Sequence, residues 1–489
     1  MFDTEWAAAS DEEVIAAIEE GARAEAAASA RRLAAIAELV HRRVHDDDAR
    51  AQWAFDPWDG ATAEVAAALR VGHRRASGQM CIAVALRERL PRVAALHRAG
   101  ALSARVISAI TWSTHLVCDA QALALIDSAL ADHATSWEAL AEDKLRQAVD
   151  VWVARYDPDA VRRTKTRTQG RDFVIGSCDD DTDTTAIWGR LLPSDAAVMK
   201  KRVTAMVRGV CDADPRSMGE RRSDALGAIG AGNATLACRF GSPTCPAAAE
   251  QPQSAVVIHV ITDEATLDAA HESQHAAQES EEQPAARGSD PTPRPKPATA
   301  ALLMGHGVLP TQLLAEAIAN GAAITAIRAP GSEPEPRYRP SAALAEFVRM
   351  RDLFCRFPGC DVSAELCDID HARPWPWGPT HASNLNCKCR KHHLMKTFWT
   401  GIGGWTDEQL PDGTVIWTSP SGRRYTTTPG SRLFFPTWNT ATAALPPPTG
   451  PPPAAGDRGL MMPRRRRTRA AERAARIKAE RAQHHPPPF

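Results

Sequence analysis

The feature that most constrains this chain is a cluster of thiols and imidazoles toward its C-terminal end. Cys355, Cys360, Cys367, Cys387 and Cys389 lie within 35 residues, accompanied by His371, His381, His392 and His393. Cys355-Arg-Phe-Pro-Gly-Cys360 and Cys389-Arg-Lys-His392 form two short-spaced pairs, the pattern by which two knuckles give tetrahedral Zn2+ its sulfur and nitrogen ligands. Cys387 competes with Cys389 for one ligand position, and Cys367 reads as buried filler. The cysteine total of 11 is odd and no secretory signal precedes it, which argues against a disulfide framework.

The rest of the chain is patterned mainly for helix. Ser10 and Glu13 have the spacing of a capping box, followed by Val14, Ile18, Ala22 and then Leu33, Ile36, Val40, Val44 at helical intervals. Two helices or one long helix fit this equally well. FDPWDG reads as a turn, and the break at Gly100 before Ser103 reads as a helix hairpin. The period changes after Arg171, where apolar runs flank CDDDTDTT as a β-hairpin, with an amphipathic helix expected over 194–210. Val256 to Ile261 reads as a buried strand, 271–299 as a linker too polar to fold, and 309–320 as a short helix. Cys238 and Cys245 lack a second pair nearby and read as thiols without a metal.

Between the two knuckles lie residues that a structural zinc does not need: Asp370-His371, Asn384-Leu385, His393 directly after a zinc ligand, and Lys396. This DH…N…H set, with CxxHH, resembles the HNH nuclease family over about residues 345–430. The resemblance implies a ββα-metal fold, with a histidine pair on a hairpin and a metal-binding histidine on the helix behind it. It also implies products ending in a 5′-phosphate and a 3′-hydroxyl.

The same residues suit phosphodiester hydrolysis on chemical grounds. A catalytic Mg2+ or Mn2+ neutralises the scissile phosphate and departing oxygen, and Asp370 with His393 would hold it while leaving sites open. His371 then serves as general base. Asn384 is expected to orient that ring without adding a charge, and Lys396 to meet phosphate as a point charge. Strand alternation separates neighbouring side chains, so the strand is expected to end at Asp370-His371, as Pro374 and Pro376 also suggest. Asn384 to about Phe398 reads as helix, with His392 and Lys396 on one face and His393 on the next. His381 reads as a surface histidine, and Trp375, Trp377, Trp399, Trp405 and Trp417 as core bulk.

The segments LPRVAALHRAGALSARVISAI, DPRSMGERRSDALGAI and VVIHVITDEATL, across about residues 30–340, are similar to the actinobacterial domain of unknown function 222. In mycobacterial 13E12 repeat proteins that domain is joined to an HNH module. The expected fold class is therefore a mainly α N-terminal domain with a small β component, followed by a small α+β (ββα-metal, zinc-stapled) module and a disordered basic tail. The corresponding boundaries are 1–245 for the helical domain, 246–344 for a strand, linker and short helix, 345–430 for the HNH module, and 431–489 for a Pro-rich and Arg-rich flexible tail.

Charge points to the partner. The chain totals −1, yet 457–489 carries ten Arg or Lys against Asp457, Glu472 and Glu480, so a polyanion is expected to meet the C-terminal third. Arg464, Arg465, Arg466 and Arg467 form an unbroken run suited to phosphate. DNA is the expected partner, with RNA an open alternative, no membrane, and a homodimer if both strands of a duplex are cut. No stretch approaches about 18 apolar residues and the first residues are acidic, so a cytoplasmic location is expected. The rival expectation is a catalytically silent, zinc-stabilised nucleic-acid-binding module of mobile-element origin.

Overall fold

The structure, a computed structural model, describes residues 6–160, 172–179, 184–240, 259–282, 301–305, 307–319, 322–399, 404–445 and 461–482. These divide into two units that are discontinuous in sequence, one of residues 1–164, 327–432 and 437–489, the other of 165–326 and 433–436. The N-terminal helices and the C-terminal segments belong to one unit because the Cys355–Cys360 turn and the basic tail pack on those helices.

The helical part of the first unit comprises α1 (Asp11–Arg43), α2 (Pro57–Leu69), α3 (His73–Glu88), α4 (Pro91–Arg98), α5 (Ala104–Ser113), α6 (Ala120–His133) and α7 (Glu142–Tyr156). The Ser10/Glu13 capping box forms, and one helix of 33 residues follows it rather than two. FDPWDG is the start of a helix, not a free turn: Asp56 caps α2 by accepting from the Asp59 N–H, and Pro57 takes the first helical position. The core gathers Leu33 and Val40 of α1, Met80 of α3, Ile110 of α5, Leu130 of α6 and Val149 of α7. At Gly100, φ is +78° and an added Cβ would lie 2.6 Å from the Arg23 carbonyl oxygen, so the α4–α5 turn admits only glycine.

In the second unit the expected hairpin is present as antiparallel β1 (Asp172–Asp179) and β2 (Thr184–Arg190), its acidic tip lying outside the described residues. Helices α8 (Pro193–Arg208) and α9 (Met218–Gly230) enclose Met206, Val207, Val210, Ala225 and Leu236. Arg216 ties their connection to Asp214 at 2.8 Å and Asp224 at 2.7 Å. Cys238 lies 3.0 Å from Cys211, sulfur to sulfur, whereas Cys245 is outside the described residues. After β3 (Val260–Ile261), helix α10 (Glu264–Glu282) runs into what the sequence suggests is linker. The Ala, Glu and Gln content of that stretch favours helix, and proline enters only at Pro284. Residues 283–300 are outside the described set. Strands β4 (Ala301–Leu303) and β5 (Gly307–Leu309) complete a sheet in the order β3-β4-β5, and α11 (Thr311–Ala319) follows.

The chain returns to the first unit with α12 (Ala342–Asp352). An antiparallel hairpin, β6 (Cys367–His371) and β7 (Leu385–Cys389), leads into α13 (Arg390–Phe398). The helix expected from Asn384 thus begins only at Arg390, because Leu385 to Cys389 pair residue for residue with β6. A three-stranded sheet of β8 (Thr406–Gln409), β9 (Val415–Thr418) and β10 (Arg424–Thr427) backs the hairpin, followed by the short α14 (Ser431–Phe434). Trp405 and Trp417 are buried as expected, Trp377 is not.

The basic tail departs from expectation: it is not disordered throughout. Arg469–Ala482 forms helix α15, whose Ile477 packs against the helical core. Arg465 donates to Asp56 at 2.9 Å, Arg469 bonds Asp56 and Asp59 at 2.9 Å each, and Arg481 meets Asp157 at 2.7 Å. Buried carboxylates on the N-terminal helices demand cations, and the tail supplies them. Arg464, Arg466 and Arg467 remain exposed. Among the described residues no helix is long and apolar enough to cross a membrane.

Replacing Arg465 and Arg469 together by Ala leaves Asp56 and Asp59 short of partners. Breaking fully buried pairs costs about 3–5 kcal/mol; these arginines are partly exposed, so a loss of roughly 2 kcal/mol is expected. A lowered melting temperature, with protease cutting within 461–482, is the predicted result.

Candidate functional site

The first cluster is built from both ends of a folded-back segment. Cys355 and Cys360 come from the knuckle after α12, Cys389 caps α13, and His392 lies in its first turn. The ligand atoms of these four side chains all lie within 4.8 Å of one another. His392 Nδ1 is 3.4 Å from Cys355 Sγ and 3.2 Å from Cys389 Sγ. Zinc bonds of about 2.3 Å to sulfur and 2.0–2.1 Å to nitrogen place tetrahedral neighbours roughly 3.5 Å apart, so the donor set fits Zn2+ with small adjustments. Burial works against a charge on Cys355, yet the groups of Cys360, Cys367, Cys389 and His392 around it hold its thiol well below the usual range. Burial likewise opposes a charge on His392, but the Cys355 and Cys389 sulfurs raise its pKa to about 9. Three sulfurs and one imidazole, mostly buried, are the ligand set that a soft divalent cation such as Zn2+ would take.

The structure decides between the two candidate thiols. Cys387 is fully buried, with its sulfur toward the Val348 carbonyl, and stays outside the cluster. Cys367 is buried, its thiol beside Cys355 and 3.3 Å from the Ser363 carbonyl. The knuckle turns at Gly359, φ +74°, where a Cβ would lie 2.7 Å from the Val71 carbonyl oxygen. His392 stacks on Phe357, ring centroids 3.9 Å apart.

An ion network unforeseen from the sequence fixes the hairpin. Asp352 ends α12 with no exposed surface, receiving Arg351 at 2.8 Å and Arg356 at 3.0 Å on one oxygen and the Cys387 N–H at 2.8 Å on the other. Arg351 also donates to the Ala382 and Leu385 carbonyls, and Arg356 to those of Gly413 and Thr427. Burial raises the cost of ionising Asp352, but the two guanidinium groups more than offset it.

Beside the sulfur cluster lies a second donor set. His393 Nε2 is 3.6 Å from Asp370 Oδ1. His393 Nδ1 donates to Asp368 Oδ2 at 2.8 Å, since a carboxylate can only accept. This bond fixes the ring, and in the neutral form it turns the Nε2 lone pair toward Asp370, the arrangement of a metal-binding histidine with its supporting carboxylate. Asp370 Oδ2 is held by Lys396 at 2.7 Å and Lys388 at 3.1 Å, and Asp407 of β8 meets both ammonium groups. Burial works against ionisation of Asp370, but Lys388, Lys396 and His393 hold its carboxyl well below the usual range.

The strand ends at His371 as expected, and the neighbouring side chains of Asp370 and His371 have separate partners. His371 is buried, with Nε2 2.9 Å from Thr380 Oγ1. The Thr380 hydroxyl hydrogen is directed to the Arg337 carbonyl, so His371 Nε2 donates and the lone pair resides on Nδ1. Burial pushes the His371 pKa down to about 4, with Asp370 opposing, so the ring is neutral near pH 7. Asn384 does not touch this ring. Its Oδ1 accepts from the Arg373 N–H at 2.8 Å, and its Nδ2 donates to the Arg373 and Pro379 carbonyls at 3.0 and 2.9 Å. Asn384 therefore braces the loop that presents Thr380, and Thr380 orients the His371 ring.

Lys396 follows His392 by four residues in α13, on one face as expected, and its ammonium is shared by Asp370, Asp407 and the His371 carbonyl. One further expectation changes. His381 is buried, accepting the Ser383 N–H at 3.1 Å. Asp368, Lys388, Asp407 and Thr380 went unassigned in the sequence; only the alternating Asp368-x-Asp370 spacing signals one of them.

A family model described as domain of unknown function (DUF222) matches residues 20–352. The uncharacterized protein Rv3776 of Mycobacterium tuberculosis strain H37Rv is 56% identical over 487 residues, covering 98% of this chain and 92% of the relative. The uncharacterized protein Rv2100 of the same strain is 55% identical over 494 residues, covering 98% and 89%. No solved structure matches this chain.

The geometry predicts one tightly held zinc per chain. By metal analysis of purified protein, Cys389→Ser should lose that zinc and Cys387→Ser should keep it; the reverse pattern would reassign the ligand.

Proposed function

We propose that this chain, which belongs to the DUF222 family, is a metal-dependent nuclease of the HNH type acting on DNA. The observation that carries this reading is the pairing of Asp370 Oδ1 with His393 Nε2 at 3.6 Å, on the same hairpin and helix as a zinc-type cluster and next to a neutral histidine. The HNH resemblance over 345–430 supports the same assignment. When bound, a divalent cation would supply charge neutralisation at the scissile phosphate and leaving oxygen.

The chain's own residues account for the remaining chemistry. Asp370 and His393 would hold the cation, Asp368 sets the His393 tautomer, and Lys388 and Lys396 keep Asp370 ionised. His371 Nδ1 accepts a proton from the attacking water, while Thr380 keeps Nε2 protonated and the ring fixed. The Cys355, Cys360, Cys389 and His392 cluster would hold Zn2+ as a staple for the hairpin and α13.

One observation favours a second reading. Lys388 and Lys396 already neutralise Asp370, as expected of a module that keeps its fold and binds nucleic acid without a catalytic cation.

Cleavage of supercoiled plasmid separates the two. The parent with Mg2+ or Mn2+ should give nicked or linear DNA, and His371→Ala, at equal zinc content, should be slower by about 10²–10⁴-fold. Asp368→Asn should require roughly 10–100-fold more cation for half-maximal rate. Zinc-loaded parent that binds DNA but cuts with neither cation would establish the silent module.

A further inference from the structure

A strap of backbone crosses the candidate base. Within residues 331–340, the Glu335 N–H donates to the Thr380 carbonyl at 2.9 Å, and the Thr380 hydroxyl bonds back to the Arg337 and Tyr338 carbonyls. The Glu335 carboxylate accepts from Ser341 N–H and Oγ at 2.7 and 2.6 Å, closing the strap where α12 begins. Anchored on both sides, the strap presents Arg337, Tyr338 and Arg339 outward.

Tyr338 lies nearly parallel to the His371 ring, with centroids 5.3 Å apart and planes 15° apart. The tyrosine is nonetheless 57% exposed, so one face covers the histidine and the other is open to solvent. Arg337 and Arg339 are exposed and form no ion pair among the described residues, in contrast to Arg351, Arg356, Arg465 and Arg469. An open aromatic face between two unpaired guanidinium groups matches the chemistry of an unstacked nucleotide: the ring takes the base and the arginines take the flanking phosphates. A base inside an intact duplex has both faces covered and cannot use this platform.

We propose that Arg337, Tyr338 and Arg339 form a stacking platform for one unpaired DNA base beside the scissile phosphate, so that the substrate is single-stranded or locally opened DNA. This rests on the nuclease reading for the position of the scissile bond, but not for the binding.

The test uses the full chain without added Mg2+ or Mn2+ and a single-stranded DNA 15-mer carrying one 2-aminopurine. The parent should quench the probe and bind it at least about tenfold more tightly than the same sequence as duplex. Stacking on an aromatic ring is worth about 1–3 kcal/mol, so Tyr338→Ala should bind about 5- to 150-fold more weakly, with quenching lost. Tyr338→Phe should restore both, and unchanged zinc content in each variant excludes misfolding. Equal binding and quenching by parent and Tyr338→Ala, or no preference over duplex, overturns the platform. Plasmid cleavage by the same preparations separates the two claims: cutting without quenching overturns the platform alone, and quenching without cutting keeps it while the catalytic reading fails.

Discussion

A carboxylate with no exposed surface, Asp352, organises the C-terminal module. Two guanidinium groups and a backbone N–H converge on it, and those arginines reach on to carbonyls of the hairpin and of the sheet behind. Such a triad need not add more stability than well-packed apolar groups, but removal of one partner strands a buried charge at a cost of about 3–5 kcal/mol. What it contributes is placement. Asp352 receives the N–H of Cys387, and two residues along the same strand stands Cys389, so the thiol that closes the sulfur cluster is set by the buried ion network.

From the cluster, order passes in two directions. Toward the N-terminal helices, the knuckle turns against Val71 at Gly359, and Asp59 gathers His73, Lys391 and Arg469. Burial alone would push the Asp59 carboxyl up, yet the His73 hydrogen bond and the charges of Lys391 and Arg469 hold it well below the usual range. Toward the candidate site, α13 continues from His392 to His393 and Lys396, which brings imidazole and ammonium onto the β6 carboxylates. The two donor sets are thus adjacent readings of one short helix, and loss of the first would misplace the second.

The sequence revealed what is local. Cysteine and histidine spacing identified all four residues of the sulfur cluster because ligand geometry constrains short intervals directly. The DH…N…H set likewise led to Asp370 and His393, which do meet. Partners set by long-range closure were not legible: Thr380 orients His371 through a loop braced by Asn384, and Asp407 arrives from another sheet. The packing of the tail is hidden in the sequence for a related reason. Composition shows that Arg465 and Arg469 are charged, but not that Asp56 and Asp59 await them some 400 residues earlier. The strand at Leu385 to Cys389 looked helical because its neighbours form helix, and only pairing with β6 reveals it.

The proposed function requires two cations of different character side by side, one in the sulfur cluster and one between Asp370 and His393. Anomalous diffraction from crystals of the full chain soaked in Mn2+ tests this most directly. The account predicts a zinc peak within Cys355, Cys360, Cys389 and His392, and a manganese peak between Asp370 Oδ1 and His393 Nε2. A zinc peak alone, with Lys388 and Lys396 still closed on Asp370 at saturating Mn2+, would contradict the catalytic account.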